Sequence, residues 1–335
     1  QPQDMQYVKL NTNESPFVPC KAVIEAAAKA AEGLRLYPDP DCKLLVKKLA
    51  EVYGVSPENV TVNNGSDETL NFAFMAYCDK DHPAIFPDIT YGFYPVFAEI
   101  NGIPYEEVPL APDFTIDIEK FKGVNKTVFI ANPNAPTGIP LSLAQIEEIL
   151  VSNPNNVVVI DEAYVDFGTE SAVPLIHKYE NLLVVQTFSK SRSMAGGRLG
   201  FGIGGRALIA DLNTIKYSTN PYNINRVTAA AGQASLENEE ITRQNCRAIM
   251  ENRAYTVAEL QKLGFTCTPS TANFIFAEHE KIDGETLYKE LKKRGVLIRH
   301  FTKPRIANFN RITVGSREQM DIFLIKIKEI LEEAL

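Results

Sequence analysis

The chain has 335 residues, 45% apolar and 23% charged, proportions that exclude a disordered or fibrous class, and it is too long for one core, so a large and a small domain are expected. A formal net charge of −8 without any Lys/Arg block argues against a nucleic-acid or anionic-lipid partner. No run approaches the ~20 consecutive apolar residues of a membrane span, and residues 1–10 carry neither a basic region nor an apolar signal core, which predicts a cytoplasmic protein.

In chain order, Val60–Asn63 is the first clear strand, broken at Gly65 before a helix over 67–78. Strands over 84–86, 127–131, 157–160, 182–186 and 199–203 follow, with a helix at 94–100 and a capping box, Ser142 with Gln145, ahead of Ile146, Ile149 and Leu150. Several of these strands are apolar throughout, as strands buried on both faces of a largely parallel sheet must be. Beyond about Asn225 the texture changes: a long helix at 239–263, a strand at 274–276, a helix at 284–294, a strand at 310–314, and a last helix capped by Ser316 with Gln319. That is the pattern of a smaller α+β domain. Cys20, Cys42, Cys78, Cys246 and Cys267 show no Cys-x-x-Cys pair and no His at ligand spacing, so reduced, mostly buried thiols and no metal site are expected.

Five segments carry chemistry. Thr187-Phe-Ser-Lys190 ends an apolar strand and is followed by a Gly-rich turn and Arg198. A lysine there leaves a buried strand for a crevice, where partial desolvation makes its amine a usable nucleophile, and the nearby hydroxyls and arginine suit a phosphate dianion. Taken alone, a solvated surface lysine is the commoner reading. In Val157-Val-Val-Ile-Asp161 four apolar residues end on a carboxylate, which is costly to bury unless it meets a cation such as a pyridinium nitrogen. An N-cap or a metal-binding Asp are the other readings; with no His and no second carboxylate cluster, metal is the weakest. At Asn63-Asn-Gly-Ser-Asp67 a helix begins, and its free N–H groups can cradle phosphate, although an ordinary capped turn looks the same. Tyr91, in Thr90-Tyr-Gly-Phe-Tyr94, can lay a ring on a flat cofactor or simply pack in the core, and Asn132-Pro-Asn-Ala-Pro-Thr-Gly138 is a rigid turn. All five fall just past the C-terminal ends of predicted parallel strands, where open α/β sheets bind ligands. Their coincidence outweighs the bland reading of each.

The order Asn-Gly-Ser-Asp, Thr-Tyr-Gly, Asn-Pro-x-x-Pro-Thr-Gly, Asp-Glu-Ala-Tyr, Thr-x-Ser-Lys resembles the fold-type I pyridoxal-phosphate aminotransferases. Leu10-Asn-Thr-Asn-Glu-Ser-Pro16, Tyr37-Pro-Asp-Pro40, Ala272-Asn-Phe274 and Arg311-Ile-Thr-Val-Gly315 make it most similar to their histidinol-phosphate branch. The resemblance implies a mostly parallel seven-stranded sheet sandwiched by helices over residues 34–235, and a small α+β domain built from residues 1–33 plus 236–335. It implies pyridoxal 5'-phosphate in a Schiff base with Lys190, which is also the proton-transfer base, Asp161 on the pyridine nitrogen, Tyr164 on the phenolic oxygen and Tyr91 stacked on the ring. Gly65, Ser66, Asp67, Thr187, Ser189 and Arg198 would grip the phosphate, and Tyr37 would reach the site of a partner in a homodimer. Arg311, Arg299 and Asn13 would bind substrate, the arginines through bidentate anion pairing; a surface charge at a strand end is the alternative for Arg299. The implied reaction transfers the amine of L-histidinol phosphate to 2-oxoglutarate, giving imidazole-acetol phosphate and glutamate, in histidine biosynthesis.

Two positions depart from the family pattern. Ala135 stands where an asparagine usually bonds the phenolic oxygen, so either Asn134 substitutes or Tyr164 makes that contact alone; Ser15 stands where some relatives carry a tyrosine. A threonine-phosphate decarboxylase or an aromatic aminotransferase would share the cofactor site. Gly200-Phe-Gly-Ile-Gly-Gly205 fits a dinucleotide fingerprint, but no acidic residue lies between Leu212 and Leu236, which disfavours a nicotinamide oxidoreductase and suggests a strand in close packing. A non-catalytic binding protein on the same scaffold would need an added DNA-binding segment, for which no room is expected before Leu10 or after Val314.

Overall fold

A computed structural model describes residues 5–334, apart from the side chain of Ala334. In its first part β1 (Val8–Lys9), α1 (Lys21–Ala31) and α2 (Lys43–Tyr53) precede β2 (Val60–Asn63), α3 (Ser66–Tyr77), β3 (Ala84–Pro87), α4 (Tyr94–Ile100), β4 (Tyr105–Val108) and β5 (Thr127–Ala131). The chain continues through α5 (Leu143–Ser152), β6 (Val158–Asp161), β7 (Leu182–Thr187), β8 (Gly200–Gly204), α6 (Arg206–Thr219), α7 (Arg226–Glu237) and α8 (Glu239–Lys262). Last come β9 (Phe265–Cys267), β10 (Phe274–His279), α9 (Gly284–Lys293), β11 (Val296–Leu297), β12 (Arg299–His300), β13 (Asn310–Thr313) and α10 (Arg317–Ala334).

Seven strands form one sheet in the order β2-β8-β7-β6-β5-β3-β4. β7, β6, β5, β3 and β4 pair in parallel, and β8 is antiparallel to both neighbours. Every residue of β2, β3, β5, β6 and β7 is buried, so each Val or Ile contributes roughly 1.5–3 kcal/mol by leaving water. The expected α/β sheet is thus present. β4 was not expected: Tyr105-Glu-Glu-Val108 exposes three of its four residues, and its charges suit the sheet edge, where they discourage further pairing.

The glycines of β8 do pack closely. A Cβ at Gly204 would lie 2.9 Å from the Leu182 carbonyl oxygen, and one at Gly200 would overlap the backbone nitrogen of Ser66, so the strand runs hard against the start of α3. Gly200→Ala is therefore expected to push β8 and α3 apart and to cost roughly 1–3 kcal/mol. A lowered melting temperature together with weakened cofactor binding is the expected result of a thermal scan with and without pyridoxal phosphate.

A second core joins Phe274, Ile312, Phe323 and Ile327, from the antiparallel sheet β12-β13-β10-β9 and α10. β1 pairs in parallel with β11, and Leu10 is buried in this second core. α1, in contrast, packs along α7 and places Val23 in the core of the seven-stranded sheet; both helices are rich in alanine, which permits close approach. We propose that the domain boundary expected at 33/34 lies instead between Leu10 and α1, so that residues 21–33 belong with the large body. Residues 1–4 and 335 of the expected division lie outside the described residues. Among the described residues no helix is long and apolar enough to cross a membrane.

Candidate active site

The site lies at the edge of the large sheet where β2, β5, β6 and β7 end. Asp161 closes β6 and is only 5% exposed as a residue. The Tyr94 hydroxyl donates to Oδ2 at 3.0 Å and the Ala163 N–H donates to Oδ1 at 3.2 Å. Neither partner is a cation, and burial pushes the carboxyl up to about 7, so the position favours a ligand that brings positive charge. The bond from Tyr94 to Asp161 escaped the sequence reading, which took Tyr94 only as part of an aromatic segment at a helix entry. Tyr94 opens α4 three residues after Tyr91, and the two rings meet edge to face at 5.6 Å.

Lys190 follows β7 on a loop held by the Phe188 N–H to the Leu199 carbonyl at 2.9 Å. Its Nζ donates to the Thr12 carbonyl at 3.2 Å and lies 5.7 Å from the centroid of the Tyr164 ring. Opposite, α3 begins after Gly65, whose φ of 84° is open to glycine and where a Cβ would lie 2.4 Å from Arg198 Nη2; Ser66 and Asp67, in the first turn, line the same cavity as Ser189 and Arg198. Arg198 donates to Asp67 Oδ2 at 3.1 Å and to Ser189 Oγ at 3.5 Å, and the Tyr91 hydroxyl donates to Asp67 Oδ1 at 2.6 Å. Ser66, Asp67, Tyr91, Asp161, Tyr164 and Lys190 share one cavity of about 340 Å³ with Thr187, Ser189 and Arg198. The Asp67 carboxylate orients Arg198 and Tyr91; a carboxylate repels a phosphate dianion, so this residue can serve an anion only through its backbone N–H.

A second cavity, of about 710 Å³, adjoins the first and shares Thr12, Tyr91 and Ala135 with it. Arg299, Lys303 and Arg311 line it, with the carboxylates Asp88 and Glu107 at its rim, Glu107 lying 4.0 Å from the Lys303 ammonium. Arg311 donates to the Asn11 carbonyl at 3.1 Å, but its buried Nε meets no acceptor among the described residues. Burial also lowers the guanidinium below its ordinary range, which favours an anion at this point.

One expectation is corrected and one of two open alternatives is set aside. Asn13 was expected to touch substrate, but it is fully buried behind the cavity, with its amide engaged by Tyr164 and Thr313. Asn134 does not stand in for the missing asparagine: Thr90 donates to its Oδ1 while its Nδ2 donates to Ile89 O and Thr137 Oγ1, and Ala135 alone faces the cavity. Ser15 Oγ accepts from the Ser193 hydroxyl and the Phe17 N–H, so it serves the loop after Lys190. Tyr37 is 78% exposed, stacks on Tyr222 at 4.7 Å and lines neither cavity of its own chain.

A parallel-rich sheet with a lysine, a buried carboxylate and a helix N-terminus converging at its edge is the arrangement of a pyridoxal-phosphate transferase. The chain belongs to the class I and II aminotransferases, the family description matching residues 5–327, and enzymes of this family work with pyridoxal 5'-phosphate. Among its relatives, the histidinol-phosphate aminotransferase of Brachyspira hyodysenteriae is 47% identical over 334 residues, 99% of this chain and 94% of that one. The fold matches the histidinol-phosphate aminotransferase of Sinorhizobium meliloti, solved in complex with pyridoxal-5'-phosphate, with a TM-score of 0.88 at 22% identity over 98% of this chain and 91% of that one. It also matches the L-threonine-O-3-phosphate decarboxylase of Porphyromonas gingivalis, with a TM-score of 0.84 at 22% identity over 97% and 99%.

Proposed function

We propose that this aminotransferase moves the amino group of L-histidinol phosphate to 2-oxoglutarate, yielding imidazole-acetol phosphate and glutamate in histidine biosynthesis. The observation that carries the reading is the joining, at Tyr91 and Ala135, of the cavity that holds Lys190 and Asp161 to the one lined by Arg299 and Arg311. The 47% identity to a histidinol-phosphate aminotransferase over nearly the whole chain supports the substrate.

The residues present fit pyridoxal phosphate. Asp161, buried without a cation, suits a protonated pyridine nitrogen, and the α3 N-terminus together with Arg198, oriented by Asp67, suits a phosphate. When bound, the cofactor supplies an electron sink for the negative charge that develops on the substrate carbon. Lys190 would hold the cofactor's aldehyde carbon and, once freed by the incoming amine, take the proton from the substrate carbon on Nζ. Tyr164 would contact the phenolic oxygen and Tyr91 would cover the ring. Arg311 and Arg299 would hold the substrate phosphate, and Arg311 the carboxylate of the second substrate. The exposed Tyr37, with Leu34, Leu36 and Leu44 exposed near it in the chain, supports a homodimer in which Tyr37 reaches the partner's phosphate site; a cytoplasmic location accords with a biosynthetic role.

The test is product analysis of the reconstituted enzyme. Glutamate is expected from histidinol phosphate and 2-oxoglutarate, and no carbon dioxide from threonine phosphate. Carbon dioxide release without net amino transfer would assign the decarboxylase reaction instead.

A further inference from the structure

Asn13 is wholly buried and adopts φ 55°, a left-handed conformation that asparagine tolerates better than most residues. Its backbone N–H donates to Thr313 Oγ1 at 2.9 Å, and the same Oγ1 lies 3.0 Å from Asn13 Oδ1. A threonine hydroxyl has a single hydrogen. Having accepted from the Asn13 backbone, it gives that hydrogen to Oδ1, the one acceptor it meets among the described residues, so reversing the amide would leave the hydroxyl hydrogen without a partner. Nδ2 is left pointing at the Tyr164 hydroxyl, 3.0 Å away. The Asn13 carbonyl in turn accepts from Asn273 Nδ2 at 2.9 Å, which pins the residue from its other side.

An amide N–H can only donate. It therefore takes up a lone pair of the Tyr164 oxygen and forbids the phenol's own hydrogen from turning back toward Asn13. Tyr164 lines the cavity beside Lys190, so that hydrogen is left to face the cavity. Across the cavity Ala135 has no side-chain donor, and the polar atoms of Asn134 are engaged elsewhere.

We propose that Asn13 is a positioning residue which, with its orientation fixed by Thr313, sets the polarity of the Tyr164 hydroxyl so that it donates to an anionic ring oxygen of the bound cofactor. The proposal rests on the pyridoxal-phosphate reading above and adds to it a residue that touches neither cofactor nor substrate. It also answers the Ala135 departure: one donor remains at that oxygen, and a buried amide controls it.

The test is a pH titration of the visible absorbance band of the reconstituted holoenzyme. A hydrogen bond donated to the oxyanion favours the charged form, so losing it raises the midpoint. Tyr164→Phe is expected to raise the midpoint by about one pH unit. Asn13→Ala and Thr313→Val are each expected to raise it by about half as much, and Asn13→Ala added to Tyr164→Phe is expected to raise it no further, because both act through one hydroxyl. Thr313→Val keeps the side-chain volume, so it carries the test should Asn13→Ala fold poorly. An unmoved midpoint in the Asn13 and Thr313 variants, or full additivity with Tyr164→Phe, overturns the proposal while leaving the cofactor reading intact. A wild-type protein with no band after reconstitution overturns both.

Discussion

Lys190→Ala is expected to lower amino transfer by at least about 10⁴-fold, since it removes both the covalent anchor and a general base worth roughly 10²–10⁴ by itself. The fold should survive. Lys190 is partly exposed, and its one hydrogen bond runs to the Thr12 carbonyl, so a melting temperature within a few degrees of wild type is expected. Borohydride reduction of the holoenzyme followed by peptide mass analysis gives the sharper readout. The cofactor mass should appear on the peptide containing Lys190 in wild type and on no peptide of the variant. Attachment at any other lysine, with activity retained, would dismiss the assigned role.

Asp161→Asn is expected to reduce turnover by about 10²–10³-fold or more, because a buried ion pair that loses one partner costs about 3–5 kcal/mol. Its effect on the cofactor-free protein has the opposite sign. The carboxyl, ordinarily 3.8, is pushed up to about 7 by burial, so the folded chain holds its proton more tightly than the unfolded one. Stability from this group is fully present below about pH 4 and is lost as pH rises through about 7. Glu162, also pushed up to about 7 by burial, adds a slope of the same sign. Cofactor-free Asp161→Asn should therefore exceed wild type in stability at pH 8, by up to about 4 kcal/mol, and show a shallower decline between pH 4 and 7. Urea titrations at several pH values would check it; equal slopes for the two proteins would mean that Asp161 is not buried as described. The same comparison with cofactor bound should narrow or reverse the difference, since a cation at Asp161 restores the benefit of its charge.

What could be read in advance follows from what sets each element. β5 was located to the residue, and β6 and β7 to within one, because four or more apolar residues in succession have no other stable place than a covered sheet; β2, Val60-Thr-Val-Asn63, was located to the residue by its β-branched run ahead of the break at Gly65. The two-residue strands β1, β11 and β12 had no pattern to find: their pairing is imposed by neighbours distant in sequence. α1 and α2 went unassigned because no cap bond marks their starts; each follows a cysteine without a side-chain cap. At the site, residues at strand ends were legible because topology alone brings them to one edge. Tyr94 and the true setting of Asn13 were not, since a bond from Tyr94 to Asp161 or from Asn13 to Tyr164 depends on how whole elements pack. Nor was the carboxylate of Asp67 legible as the partner of Arg198 and Tyr91, because both bonds join segments distant in the sequence.

The bond between Asn13 and Thr313 spans 300 positions of sequence, and this has a bearing on synthesis. A ribosome releases Lys190, Asp161 and the α3 cradle long before it releases Thr313, so the large sheet can form while the phenol of Tyr164 still lacks its amide. The segment that carries Asn13 cannot complete its pairing until Thr313 has emerged. During refolding, sheet signal should accordingly be regained ahead of the cofactor's native spectrum, and a nascent chain stalled short of residue 313 holds every atom thought to touch the cofactor within its own subunit yet not the wiring that orients them.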